Sequence, residues 1–314
     1  MGKLVLQRLV AVVPLLFIVS ILAFSLLQFL PGDPVLVRLG EDATVEQYAM
    51  VEAELGLDEA IPVQYVKWLT GVLQADFGTS LVNSQDVTEA VTARLPVTLS
   101  LTFGAMAIAI IVGVTAGVIG GTRPGSGVDR GVTFGATLGV AVPNFWFAIL
   151  LVALLSVNLG WLPATGYTPI EVSFAGWLRS IILPCLALGL SASATIARQT
   201  RSGLASVLQQ DYIRTALAKG ARPRRVVMKH GLKNAFIPVV TVLAFQVTAL
   251  LGGALVVERV LALPGLGSLA VAAVQQSDVT MVQGIIMFTA VVVVAVNLLT
   301  DLTYGYLNPK VRPS

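Results

Sequence analysis

The sequence has a single cysteine, Cys185, and a single histidine, His230. One cysteine excludes an internal disulfide, and its place in an apolar run leaves the redox compartment open. One histidine argues against a histidine-built metal site, which needs several ligands. Charge is also scarce: Asp, Glu, Lys and Arg make up 12% of the chain, about half their share in an ordinary soluble domain. There is no Gly-x-x-x-x-Gly-Lys-Ser/Thr phosphate loop, so the chain is expected to carry no ATPase of its own. No cofactor is expected on it.

What is present is apolar. Hydrophobic residues make up 56% of the 314, and the mean hydropathy is +0.85. These values predict an all-α polytopic membrane protein. Six spans follow: Leu9 to Leu30, Val97 to Gly121, Val132 to Val157, Ser180 to Ala197, Ala235 to Val257 and Thr280 to Thr300. The first has about 22 residues, roughly 33 Å of helix, enough to cross a bilayer. It is too long for a signal-peptide core and lacks a small-residue cleavage site. Its Pro14 is tolerable where neighbouring helices satisfy the freed carbonyl.

Charge sets the orientation. The stretch Arg198 to Asn234 holds nine of the twenty Lys and Arg but only one acid, Asp211. Cytoplasmic loops carry such an excess. Residues 31–94 reverse the balance, with eleven acids and three bases, and are placed outside. Arg123 and Arg130 put the 122–130 turn inside; Trp161, Tyr167 and Trp177 are interface anchors outside. Lys3, Arg8, Lys310 and Arg312 put both termini inside. The pI near 9.1 therefore reports topology rather than nucleic-acid binding.

The chain accordingly divides into an N-terminal span (1–30), an outer helical segment (31–95), a five-span core (96–308) and a short tail (309–314). The outer segment has its own grammar. Thr44 with Gln47 forms a capping box, Gly56 ends that helix, and Pro62 starts another. Val87 and Val91 suggest a third short helix. In spans 2 and 3, Gly113, Gly117 and Gly121, then Gly131, Gly135 and Gly139, recur every fourth residue, a spacing for close helix packing.

The basic stretch carries the most specific signal. Leu204, Val207, Leu208 and Tyr212 share one helix face. Gly220 closes that helix by a left-handed turn, and Pro223 suits the first turn of the next, which runs through Val226, Val227 and Leu232 into span 5. Ala216, Ala218, Gly220 and Ala221 leave room for a partner's backbone. A solvated loop drawn to anionic lipid is the alternative.

The run Asp211-Tyr-Ile-Arg-Thr-Ala-Leu-Ala-Lys-Gly220 resembles the "EAA" loop of bacterial ABC-importer membrane subunits, especially the peptide-importer branch. Arg214-Thr215-Ala216 stands in the Glu-Ala-Ala place, Gly220 is the motif's Gly, and Ile237-Pro238 ends it. Further signatures follow in order: Leu30-Pro31-Gly32-Asp33-Pro34, Asp76-Phe-Gly-Thr-Ser80, Arg94-Leu-Pro-Val-Thr98, Glu258-Arg259-Val260, Pro264-Gly-Leu-Gly267 and Asn308-Pro309. Over essentially the whole chain they resemble the first permease of dipeptide and oligopeptide ABC importers; a nickel-importing branch is closely similar.

The resemblance implies the type I importer permease fold in a bacterial cytoplasmic membrane. It implies a second permease, two ABC ATPases holding ATP and Mg, and an extracytoplasmic substrate-binding protein. Asp211, Tyr212, Arg214, Thr215, Ala216, Ala218, Lys219, Gly220 and Arg222 would then couple to an ATPase. Uncharged polar residues, Asn144, Thr241, Gln246 and Thr248, are candidates for the translocation path or for hydrogen bonds between helices. Glu258 and Arg259 are candidates for an outer gate or binding-protein contact, or form a local ion pair. Other cargo remains open: nickel, haem or another peptide-like solute. A secondary carrier or channel is disfavoured, because the spans as drawn hold no Asp, Glu, Lys or Arg for a relay. A membrane scaffold without transport is disfavoured too, having no need of a docking elbow.

Overall fold

The structure, a computed structural model, describes residues 2–29, 33–40 and 42–307. The Leu30-Pro31-Gly32 signature, Asn308-Pro309, Lys310 and Arg312 lie outside the described residues. The chain runs α1 (Gly2–Phe29), α2 (Pro34–Leu39), α3 (Val45–Leu55), α4 (Ile61–Leu73), α5 (Val87–Gly121), α6 (Gly127–Ala141) and α7 (Asn144–Leu151). It continues with α8 (Phe174–Leu208), α9 (Asp211–Ala218), α10 (Pro223–Val226), α11 (Leu232–Val260), α12 (Leu266–Gln275) and α13 (Val279–Leu307). Among the described residues α5, α8, α11 and α13 contain stretches long and apolar enough to cross a membrane, and α6 with α7 and its π-helical end is a bent pair that makes a fifth if it is counted as one span. Residues Val10–Leu26 of α1 are a shorter apolar stretch.

Two compact units make up the chain. Of the described residues, one comprises those in 97–264 and 299–307; the other comprises those in 2–96 and 265–298.

The second unit bears out the local grammar of the outer segment. The Thr44 hydroxyl accepts from Gln47 N, and the Gln47 side chain accepts from Thr44 N, so the capping box is complete. Gly56, at φ +67°, closes α3, a left-handed turn that costs a glycine little. Pro62 lies in the first turn of α4. One expectation is corrected: Val87 and Val91 do not form a separate short helix. They begin α5, which runs on through Pro96, because Val87, Ala90 and Val91 are buried with Leu266, Leu269 and Ile285 and the apolar period is unbroken. Phe24, Tyr65 and Trp68 form an aromatic cluster joining α1 to α4.

In the first unit α8 is the central helix, with Leu183, Leu188, Ile196 and Leu204 fully buried. It packs against α5 at van der Waals limits. A Cβ on Gly113 would stand 2.7 Å from the Ser193 carbonyl oxygen, and one on Gly189 would stand 2.7 Å from that of Ala105. The expected packing role of the α5 glycines thus holds. On α6 it holds only for Gly139, which faces Ala194; Gly131 and Gly135 face open space.

The third predicted span is not one straight helix. α6 and α7, with its π-helical continuation to Asn158, meet at a bend of 101°. Val142 (φ −87°, ψ 124°) and Pro143 (φ −61°, ψ 137°) are extended there. Proline disfavours the helical region for the residue before it, and ahead of Pro143 Val142 takes the extended alternative, which is where the helix breaks.

Candidate coupling site

The elbow lies between the end of α8 and the start of α11. Its first helix, α9, spans two turns and buries one residue, Ile213, at 1% exposure. The end of α9 has the hydrogen bonds of a Schellman motif. Gly220 N donates to Leu217 O (2.9 Å) and Ala221 N donates to Ala216 O (3.2 Å). The price of that turn is a left-handed residue, and Gly220 takes φ +81°. A Cβ built there meets nothing within 4 Å. Backbone conformation alone explains the glycine, and the space beside it is unfilled.

Arg222 caps α10 in extended conformation, and Pro223 occupies its first turn. Val226 is buried at 1% exposure and anchors the second arm. The arm passes through a π-helical turn, Val227–Gly231, into α11. Gly231 lies close to Leu204 and Leu208 of α8. The Asn234 side-chain amide donates to the Tyr212 hydroxyl (2.9 Å), tying α9 to α11. The elbow is therefore held from beneath by Ile213, Val226 and Leu204.

Of the predicted coupling residues, Asp211, Tyr212, Arg214, Thr215, Ala218, Lys219, Gly220 and Arg222 are exposed, and Ala216 is half-buried. Arg214 lies 3.7 Å from Asp211 with both side chains in solvent, a pair of little energetic weight. Beside them Gly220, Arg222, Arg224, Arg225, Met228, Lys229 and His230 line an open recess of about 780 Å³. Four of its side chains are Lys or Arg and none is acidic, so it suits an acidic surface.

The expectation that Tyr212 shares a face with Leu204, Val207 and Leu208 of one helix is corrected. α8 ends at Leu208 and α9 begins at Asp211, so Tyr212 belongs to a new axis. The apolar spacing ran across a break that no Gly or Pro marks.

The other candidates separate. The Gln246 amide donates to Ala192 O at 3.2 Å, which joins α11 to α8. Thr241 and Thr248 are exposed on α11, seven residues apart, with exposed Phe245 between them. Asn144 begins α7 and sits near Gly253 of α11. Glu258 is wholly buried and accepts from the Thr98 hydroxyl at 2.7 Å, while Arg259 is exposed. The Glu258 side chain is thus not presented at the surface in this conformation. Glu258→Ala is expected to lose more than a surface ion pair would, about 1–3 kcal/mol of stability, because it removes a buried, charge-assisted hydrogen bond and the side chain that fills the site. Thermal unfolding would show this; an unchanged unfolding temperature together with unchanged uptake would remove Glu258 from both structure and mechanism.

Sequence reasoning missed one pair. Arg201, in α8, donates through Nε to Asp129 Oδ1 (2.7 Å) and through a terminal nitrogen to Oδ2 (2.6 Å). Asp129 is 3% exposed and also accepts from Gly125 N. The available signal was an acid lying beside Arg123 and Arg130 in an otherwise basic turn.

The family model for the binding-protein-dependent transport system inner membrane component matches residues 109–313. A companion N-terminal model of the same systems matches residues 1–102. The chain belongs to this permease family. It is 44% identical over 312 residues to a Brucella abortus protein provisionally named a peptide transport system permease; 99% of each chain is covered. It is 40% identical over 308 residues to the glutathione transport system permease protein GsiC of Salmonella paratyphi A, covering 98% of each. Its fold is shared with a chain of the MetNI methionine ABC transporter in an inward-facing conformation, at TM-score 0.54 and 19% identity, covering 67% of this chain and 93% of that one. The permease is therefore a membrane component of an ABC importer, as the sequence signatures implied.

Proposed function

We propose that this permease, with a second related permease, forms the membrane path of an ATP-driven importer for di- and oligopeptides, glutathione-sized peptides included. α1 supplies a sixth span, and the basic elbow faces the cytoplasm with both termini. A substrate-binding protein delivers cargo from outside, and two ABC ATPases dock from the cytoplasm. The names of the peptide and glutathione relatives support the cargo class.

The observation that carries the coupling reading is the elbow itself. It is a short helix closed at Gly220, exposed on its outer side, pinned beneath by Ile213 and Val226, and flanked by a cationic recess. Such an element moves as a rigid body when a partner grips it. Closure of the ATPase pair then shifts the population between inward-open and outward-open forms.

The test is uptake of a labelled dipeptide into proteoliposomes holding both permeases and both ATPases, with ATP inside and binding protein outside. Uptake that requires ATP and binding protein is expected. Uptake by this chain alone, indifferent to ATP, would overturn the reading in favour of a carrier.

A further inference from the structure

The Asp129–Arg201 pair joins three helices at one point. Asp129 stands in the first turn of α6, where Ser126 caps the helix. Arg201 stands on α8, two turns before that helix ends at the elbow. Between them lies α5, and its Gly120 forms the floor of the site. A Cβ on Gly120 would stand 3.3 Å from both Arg201 Cγ and Asp129 Oδ1. The Arg201 side chain crosses α5 only because that floor is bare.

The neighbouring contacts extend the joint towards the elbow. Leu204, one turn beyond Arg201, lies against Gly121 of α5 and Gly231 of the elbow's second arm. A displacement of the elbow's second arm is therefore felt at its π-helical turn by the end of α8. From α8 the fork-shaped ion pair is the directional contact to α6. A bidentate guanidinium–carboxylate pair resists rotation as well as separation, which apolar packing does not. α6 leads to the 101° bend and to Asn144 beyond it.

We infer that Asp129 and Arg201 are positioning residues for transport: their ion pair transmits movement of the coupling elbow to the bent helix pair α6–α7. This rests on the coupling reading above. The role assigned to them requires no contact with cargo or ATP. The pair adds a directional link to the apolar packing between α6 and α8, such as Gly139 against Ala194.

The experiment measures dipeptides imported per ATP hydrolysed by the reconstituted complex. Its variants are Asp129→Asn, Arg201→Lys and the exchange Asp129→Arg with Arg201→Asp. In assembled complexes the two single variants are expected to hydrolyse ATP but to import at least fivefold fewer peptides per ATP. The exchange is expected to recover part of that ratio, which a role in stability alone would not produce. Arg201→Lys keeps the charge while losing the fork, so it decides the matter even if Asp129→Asn does not assemble. A wild-type ratio in Arg201→Lys overturns the inference. A wild-type complex that shows no ATP-dependent uptake would instead count against the proposed function.

Discussion

Replacing Gly220 with Trp is expected to abolish coupled uptake while leaving the membrane-embedded fold intact. The residue sits at φ +81° with open space around its missing side chain. Two effects follow from the substitution, and they differ in size. A left-handed backbone costs an ordinary residue about 1–2 kcal/mol. That strain is confined to an exposed two-turn helix, so the buried helices are unaffected. Under the proposed coupling, the indole itself fills the space that a docked ATPase would need. Loss of a close-fitting interface anchor costs at least about 2 kcal/mol, roughly a thirtyfold weaker association. ATP-driven uptake should therefore fall by about thirtyfold or more. Gly220→Ala separates the two effects, since it carries the backbone strain without the bulk. It should retain most uptake. Equal loss in both variants would mean that the turn's conformation matters and that nothing docks on its outer side. Normal uptake in Gly220→Trp would exclude the elbow from coupling.

The second large effect is expected at Gly117. A Cβ there would stand 2.5 Å from Thr200 Cβ and 2.7 Å from the Ala197 carbonyl oxygen. One obstacle is backbone, so no side-chain rotation relieves it. Gly117→Leu must push α5 and α8 apart along a seam that also contains Gly113, Gly121 and Gly189. Overpacking of a well-filled interior costs about 1–3 kcal/mol, and here the upper end applies because the strain cannot disperse. Gly135→Leu is the control: its Cβ meets nothing within 4 Å, and the isolated chain should tolerate it. The protein supplies its own reporter. Cys185 is its only cysteine and is 2% exposed, so a thiol-reactive dye reads unfolding directly. A markedly lower midpoint for Gly117→Leu, with an unchanged one for Gly135→Leu, is the expected result. Equal midpoints would refute the seam.

The same glycines show what a pattern conveys. The Gly-x-x-x-Gly spacing of α5 and that of α6 are indistinguishable on paper. Only one series is covered along its length by a neighbouring helix. Spacing states which residues share a face, and the neighbour decides whether that face is filled. The elbow contrasts with this. Gly220 and Pro223 were assigned correctly from chain order, because a left-handed closing turn and a proline-started helix are properties of the local backbone. The capping box at Thr44 and Gln47 succeeded for the same reason. The break after Leu208 is not legible in the sequence because it has no local marker. Gln209 and Gln210 are neither glycine nor proline, and the apolar period continues across them.

What the sequence determined, then, was the class of protein, its apolar helices, the place of its elbow and its family. These rest on hydropathy over long runs, on backbone chemistry within a few residues, and on motifs preserved in order. The tertiary structure decided how those elements are used. It sent Gln246 to a carbonyl of α8, sealed Glu258 against Thr98 and set Asp129 against Arg201. The last two are separated by 160 and 72 positions along the chain. Such partners are chosen by helices meeting in space, and nothing local in the chain records the meeting.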